Sequence, residues 1–285
     1  MNSGPALTAM AWMAGSGVIF GLANAILRTM SLQQSAYQTL SMQYAATLLL
    51  CVPLVMRRGM AAYRSRNMRG VLVRGGLHWV GTTAWLVALP HITLAEVTAI
   101  GFTIPLFVMA GASVLLKEQL RWDRSAAALA GLCGVLVVVA PRLVGGGGSY
   151  SLLMFLATLV YSYAYLLTKQ LTSVDSPLTI VMWQSLVVAV CSVPLAIVHW
   201  QPATTQLWAS AVLTAALVLA GQYGMAKSFA AADMSVSQPV TYLNLVWACL
   251  FGWLFFGDRV QQATLVGGAI IVVATIWLAR REASR

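Results

Sequence analysis

The chain has 285 residues, of which 60% are hydrophobic and only 8% are charged, and its mean hydropathy is +0.81. An ordinary soluble domain carries charge on about a quarter of its residues, so this composition excludes that class and indicates an integral membrane protein. The net charge of +10 does not indicate a nucleic-acid partner, because the basic residues lie in short gaps between apolar runs.

Long apolar runs follow one another along the chain, separated by charges and turn residues. Each run is close to the 20 or so residues that a membrane-crossing helix needs, and the runs are too continuous for alternating strands. We therefore predict an all-α integral membrane protein with ten transmembrane helices, at residues 7–28, 36–56, 70–89, 94–116, 124–140, 149–168, 177–199, 207–228, 234–256 and 262–280.

The basic residues are distributed unevenly between the two sides of the membrane. An even number of spans puts both termini on one side. With the termini in the cytoplasm, fourteen of the seventeen Lys and Arg residues lie on inner segments, and only Arg28, Arg142 and Arg259 lie outside. The positive-inside rule therefore predicts a multi-pass protein of the cell inner (plasma) membrane with cytoplasmic termini.

The chain contains two similar halves on either side of a run of four glycines at 145–148. At an offset of 141 residues Gln43 aligns with Gln184, and at an offset of 140 Gly81 aligns with Gly221. We predict an N-terminal five-helix repeat at 1–144, a glycine linker at 145–148 and a C-terminal five-helix repeat at 149–285. Because five is odd, the second repeat enters the membrane from the opposite side. Such inverted repeats are typical of transporters with a substrate site at the repeat interface.

Two segments resemble a known family. TYLNLVWACLFGWLFFGDRV at 241–260, and its weaker partner TIPLFVMAGASVLLKEQL at 103–120, are similar to the helix pattern ending in Gly-Glu of the EamA-type drug/metabolite transporter superfamily. The resemblance implies a secondary transporter, most often an exporter of amino acids or other small metabolites, with an aromatic amino acid branch. Asn244 and Leu245 replace the usual Glu-Pro, and Asp258 replaces the usual Glu, which weakens the alternative of cationic drug efflux.

Polar and aromatic side chains within the spans are the candidate substrate-binding residues, because a polar group at that depth is costly without a partner or water. His78 could bind substrate or take up a proton near neutral pH. The repeat-related Gln43 and Gln184 could bind a zwitterion, although bonding between helices explains these residues equally well. The full candidate set is His78, Gln43, Gln184, Asn244, Tyr242, Tyr223, Gln222, Asn24, Tyr44, Trp183, Tyr163 and Trp79.

Three further residues of the spans bear on mechanism. Arg74 lies one turn below His78 and is grouped with the inner basic residues, so we expect no clear fixed charge at depth. Pro105 is a candidate hinge in the fourth span, with a static bend as the alternative. Glu96 is, with His78, a candidate for proton coupling, but the pattern Thr93-x-x-Glu96 also indicates a capping box, which we favour.

These observations predict a secondary transporter that exports small neutral or zwitterionic metabolites by alternating access, with amino acids, aromatic ones included, as the expected substrates. A channel or a non-transporting membrane scaffold is the alternative, and saturable flux would separate them. The sequence shows no catalytic triad, paired carboxylates or metal-ligand spacing. We therefore expect no enzyme activity, metal or cofactor, and only a small-molecule substrate and the lipid bilayer as partners.

Overall fold

A computed structural model describes residues 4–31, 33–88, 91, 100–139, 148–257 and 262–284. Within these residues the chain is helical and has no strand, and each expected span corresponds to one helical segment. The segments are α1 (Pro5–Ser31), α2 (Ala36–Arg58), α3 (Met68–Ala88), α4 (Ile104–Leu115), α5 (Trp122–Val139), α6 (Gly148–Leu171), α7 (Pro177–Val198), α8 (Thr205–Ala231), α9 (Met234–Phe256) and α10 (Gln262–Ala283). The prediction of an all-α integral membrane protein is confirmed.

Seven of the described helices, α1, α2 and α6 to α10, are long and apolar enough to cross a membrane. Polar side chains cap the N-termini of three of these helices. The hydroxyls of Ser35, Ser176 and Thr204 accept hydrogen bonds from backbone N–H groups in the first turns of α2, α7 and α8. At the end of α9, Gly257 adopts a φ of 65°, which favours glycine and stops the helix.

Polar contacts at helix ends and in the adjoining loops define the two faces of the bundle. On one face Ser65 Oγ donates to Asp175 Oδ2 at 2.5 Å, and Arg124 Nε donates to Glu282 Oε1 at 3.0 Å. We call this the basic face, because most Lys and Arg residues lie there. The start of α1, the end of α10 and a short 3₁₀ helix at Met60–Tyr63 also lie on this face. On the opposite face Gln38 Nε2 donates to the carbonyl of Gln201 at 2.6 Å.

The two repeats cross the membrane in opposite directions. Near the start of α1 the Ala9 carbonyl accepts a hydrogen bond from Ser228 at the end of α8, at 2.7 Å. At the end of α6, Lys169 Nζ donates to the carbonyls of Phe229 and Ala232, also at the end of α8. The start of α1 and the end of its repeat counterpart α6 therefore share the basic face, which confirms the inverted topology.

The helix packing repeats about a pseudo-twofold axis. α1 packs on α8 as α6 packs on α3, and α1 packs on α9 as α6 packs on α4. α2 packs on its own repeat counterpart α7, and α5 packs on its counterpart α10. The pseudo-twofold axis therefore passes between the two helices of each pair. At the α5–α10 crossing the backbones touch: a methyl group added at Gly267 would overlap the Gly134 carbonyl oxygen. Small residues thus permit the close approach on which membrane helix packing relies.

The fourth helix of each repeat is discontinuous. In the first repeat, residues 102 and 103 interrupt the helix before α4, and Pro105 occupies the first turn of α4. In the second repeat, a 3₁₀ segment at Gln238–Tyr242 interrupts α9. Broken helices at corresponding positions of two repeats are typical of transporters, where they line the substrate path.

The α5–α10 contact gives a prediction about folding. Gly267→Leu should lower the stability of the bundle by about 1–3 kcal/mol, because its side chain overlaps Gly134 and Val138 across the crossing. Gly268→Leu is the matched control, since the space beside Gly268 is open. Apparent Tm in detergent should fall in the first variant only, and equal effects would contradict the close-crossing assignment.

The charge distribution gives a prediction about orientation. Met60 is 62% exposed on the basic face, and Ser149 is exposed on the opposite face. If the basic face is cytoplasmic, a membrane-impermeant maleimide added to intact cells should label Ser149→Cys and not Met60→Cys, in a background without the native cysteines. The reverse labelling pattern would overturn the orientation.

Candidate functional site

Four helices, α2, α3, α6 and α7, bring a group of buried polar and aromatic side chains together. The Tyr44 hydroxyl of α2 and Nε2 of His78 in α3 share a hydrogen bond of 3.1 Å. Gln184 of α7 lies near the same hydroxyl, and Tyr161 of α6 packs edge-on against the imidazole at 5.4 Å between ring centroids. With Arg74 of α3, these residues form what we call the central polar cluster.

The spacing of residues along α3 and α6 builds one wall of this cluster. Thr82 lies one turn after His78 and donates to its carbonyl at 2.8 Å, and its hydroxyl also meets the Tyr161 hydroxyl at 2.7 Å. Gly81 lets the Tyr161 ring lie against α3, since an added methyl group would be 3.2 Å from the ring. Tyr165, one turn along α6, continues the aromatic surface at 6.5 Å.

Several buried polar atoms of this region have no hydrogen-bond partner of normal geometry among the described residues. They are both amide atoms of Gln184, Nδ1 of His78, Nη1 of Arg74 and Nε1 of Trp79. Tyr44, Arg74, His78 and Gln184 are each at most 8% exposed, so bulk water does not reach these side chains. A buried donor or acceptor without a partner costs about 1–3 kcal/mol. These atoms are therefore free to hydrogen-bond a molecule other than the chain itself.

Arg74 corrects the expectation that no fixed charge lies at depth. Its side chain is 1% exposed, and its Nε donates to Thr168 Oγ1 of α6 at 2.5 Å. Its position four residues before His78 places both side chains on one face of α3. The sequence count treated Arg74 as a signal of topology. The four-residue spacing between Arg74 and His78 is the feature of the sequence that could have indicated a role for Arg74 at the site.

The structure brings some of the other candidate residues to this cluster and places others elsewhere. Gln43 is buried beside Tyr44 in α2, and Trp79 packs with Tyr44 against Val188. Trp183 donates its indole N–H to the Tyr63 carbonyl at 3.0 Å, toward the basic face. Tyr163 is 46% exposed on the outside of α6.

Five further candidates belong to the α1, α8 and α9 side of the bundle. Gln222 is buried with Oε1 unpaired, and it aligns with Thr82 at the repeat offset of 140. Tyr242 is fully buried, and its ring stacks on Phe102 at 5.8 Å. On this side too, Asn24 is exposed on α1, Asn244 of α9 packs on Gly17, and Tyr223 packs on Trp12.

The two mechanistic candidates have different outcomes. Pro105 is buried directly after the interruption before α4, and Ser162 of α6 approaches the adjacent Ile104 carbonyl at 3.5 Å. A break therefore exists where the hinge was expected, while hinge motion stays a prediction. Glu96 lies outside the described residues, so its capping and coupling roles also stay predictions.

A second polar group, the Arg124 cluster, closes the basic face. Arg124 is 7% exposed and donates to Asp233, Ser235 and Glu282 at 2.8–3.0 Å. The Glu118 carboxylate accepts hydrogen bonds from the backbone N–H groups that start α9. These contacts join the first repeat to the second. Glu118 therefore has a structural role at the start of α9. Asp258, the acid of the second family-like segment, lies outside the described residues.

Comparison with known proteins places this geometry in context. The model of the EamA-like transporter family matches residues 7–140 and 148–280. A riboflavin transporter of Rhizobium johnstonii is 31% identical over 96% of this chain and 91% of its own length. An S-adenosylmethionine uptake transporter of Rickettsia prowazekii is 23% identical over 97% of this chain and 94% of its own length.

Two further matches extend the comparison. The pseudopaline exporter CntI of Pseudomonas aeruginosa is 25% identical over 92% of this chain and 93% of its own length. A protein of known crystal structure superimposes with a TM-score of 0.79 over 96% of this chain and 98% of its own chain, at 20% identity. That likeness establishes the fold alone.

The unpaired amide of Gln184 gives a prediction about stability. Gln184→Leu removes a buried amide that lies near the Tyr44 hydroxyl but makes no hydrogen bond of normal geometry to a described residue. The apparent Tm should therefore stay unchanged or rise, with a gain of at most about 1 kcal/mol in the free energy of unfolding. Gln38→Leu is the matched control, because the Gln38 amide is buried and holds both backbone groups of Gln201. Tm should fall in this variant. A larger loss in Gln184→Leu would show that its amide holds helices together.

Proposed function

The chain belongs to the EamA-like transporter family, and on that premise we propose that it is a secondary transporter for a small planar aromatic metabolite, which binds at the central polar cluster. One observation carries the proposal: buried polar atoms without partners lie among the rings of Tyr44, Trp79 and Tyr161. Ligand sites combine such aromatic walls with a few polar groups that fix orientation.

Riboflavin is the substrate that this arrangement favours. Its flat tricyclic ring offers a broad face to aromatic side chains, and its edge carries alternating hydrogen-bond donors and acceptors. An amide such as that of Gln184 can both donate and accept, as such an edge requires. The 31% identity with a riboflavin transporter over nearly the whole chain supports this assignment.

Export of aromatic amino acids is the second candidate. It is favoured by the combination of Arg74, which can bind a carboxylate, with the Gln184 amide and the surrounding rings. Cationic drugs are less suited to the cluster, because the guanidinium of Arg74 would repel them.

We infer an alternating-access cycle built on the two repeats. The repeats at 1–144 and 149–285, joined by the glycine linker at 145–148, rock about the pseudo-twofold axis and expose the cluster to each side in turn. The interruption beside Pro105 gives α4 a point at which to bend. The protein lies in the cell inner membrane with its termini in the cytoplasm. His78 serves the substrate, and Glu96 caps its helix.

Counterflow in liposomes tests the function. Purified protein in liposomes loaded with unlabelled riboflavin should take up labelled riboflavin transiently above equilibrium, and saturably with external concentration. External riboflavin should compete, whereas phenylalanine, tryptophan and S-adenosylmethionine should not. Gln184→Leu and His78→Gln should each reduce saturable flux about tenfold or more, since each removes a bond to the substrate.

The other outcomes are distinct. Counterflow with tryptophan or phenylalanine but not with riboflavin would replace the first candidate by the second. Flux that rises linearly with concentration and shows no counterflow would indicate a channel. Absence of flux for every compound, from protein with a normal Tm, would indicate a non-transporting scaffold.

A further inference from the structure

Arg74 is the largest fully buried side chain of the described residues, and the function proposed above does not account for its charge. It lies in α3 and is not part of the basic-face ion pairs, in which Asp123, Asp233 and Glu282 neutralise Arg121 and Arg124. Among the described residues, no carboxylate lies within 4 Å of the Arg74 guanidinium. Its only hydrogen bond with a described residue is to the neutral hydroxyl of Thr168.

The Thr168 hydroxyl accepts a hydrogen bond from only one of the N–H groups of this guanidinium. The hydroxyl donates its own proton to the Ala164 carbonyl at 2.8 Å, which turns a lone pair toward Arg74 Nε. A guanidinium has five N–H donors, and Nη1 of Arg74 has no partner. Buried charges are normally paired, and an ionisable residue inside a membrane is retained where it serves function. A purely structural link between α3 and α6 would need only a neutral donor.

We propose that Arg74 binds a pair of adjacent acceptor atoms on the transported molecule, and so selects aromatic substrates that carry such a pair. The inference rests on the transport function proposed above. It adds to that function the chemical feature that the substrate must carry and the residue that binds this feature.

The geometry of a guanidinium explains this selection. Two of its N–H groups point in parallel, and they match two acceptors side by side, as in a carboxylate. The N1 and C2=O edge of a flavin presents the same arrangement without a formal charge. Tyr161 and Tyr165 lie on the neighbouring helix, within reach of the same molecule's ring face. Arg74 therefore holds the edge while the aromatic side chains hold the face.

Flavin binding to purified protein tests the proposal, because stacking on aromatic side chains quenches flavin fluorescence. Riboflavin and lumiflavin are the probes, since lumiflavin keeps the isoalloxazine ring with its N1 and C2=O acceptors but carries a methyl group in place of the ribityl chain. Arg74→Gln should weaken the Kd of both by a similar factor, about tenfold to hundredfold, because bonds to a charged group are lost. The Kd values of Arg74→Lys should lie between those of the wild-type protein and Arg74→Gln, because lysine keeps the charge but not the paired donors.

Arg69→Gln is the matched control, because Arg69 is an exposed arginine of the same helix. It should leave both Kd values unchanged. An unchanged Kd for both probes in Arg74→Gln would overturn the proposal. So would a loss confined to riboflavin, because Arg74 would then bind the ribityl chain.

Stability without substrate gives a test that does not depend on the identity of the ligand. If Arg74 awaits a substrate, Arg74→Met removes a costly unpaired charge and should raise the apparent Tm of the free protein. Arg124→Met should lower it, since Arg124 is paired with two carboxylates. A fall in Tm for Arg74→Met as large as that for Arg124→Met would make Arg74 a structural residue and overturn the proposal.

Failure of the flavin assignment can be told apart from failure of this inference. If the wild-type protein binds neither flavin, the substrate proposed above is wrong, and tryptophan and tryptamine become the probes because they differ only in the carboxylate. Counterflow by tryptophan alone, lost in Arg74→Gln, would support acceptor recognition by Arg74. Equal counterflow by both compounds would overturn it.

Discussion

The hydrocarbon core of a membrane offers no water to a polar group, and most of this structure follows from that constraint. Polar side chains within the helices accordingly find partners close by: the hydroxyls of Thr47, Ser185 and Thr214 donate to carbonyls one turn earlier in their own helices. Against this background, eleven buried side-chain atoms of the described residues have no partner, and five of them belong to Arg74, His78, Trp79 and Gln184. This grouping is the reason for proposing a binding site there.

The two repeats share a backbone arrangement but differ in chemistry. Gly81 receives the Tyr161 ring on one side of the axis, and Gly221 receives the Phe20 ring at the equivalent position. At the repeat offset of 140, Arg74 corresponds to Thr214 and His78 to Val218. Only one side of the pseudo-symmetric bundle therefore carries the charged and basic groups.

The sequence predicts the ten helices and the inverted repeat because both depend on patterns that extend over whole spans. Apolar length determines where α1 to α10 lie, and an offset maintained from Gln43 to Glu118 reveals the second copy. Individual contacts are less predictable. In the sequence, Arg74 is one more basic residue near an inner loop. Only the packing of α6 on α3 shows that its side chain is buried. Trp183 and Tyr163 resemble ligands in sequence because nothing in their own helices shows which neighbour, carbonyl or lipid, they face.

The Arg124 cluster makes the two faces of the transporter unequal. At the repeat offset, the counterpart of Arg124 is Thr264, so the symmetry-related position on the opposite face carries no arginine. Separating the repeats on the basic face exposes the charges of the Arg124 cluster to water, where dissolved ions screen them over about 8–10 Å at ordinary salt concentrations. If the repeats rock as we propose, opening of the basic face becomes easier as the ionic strength on that side of the membrane rises.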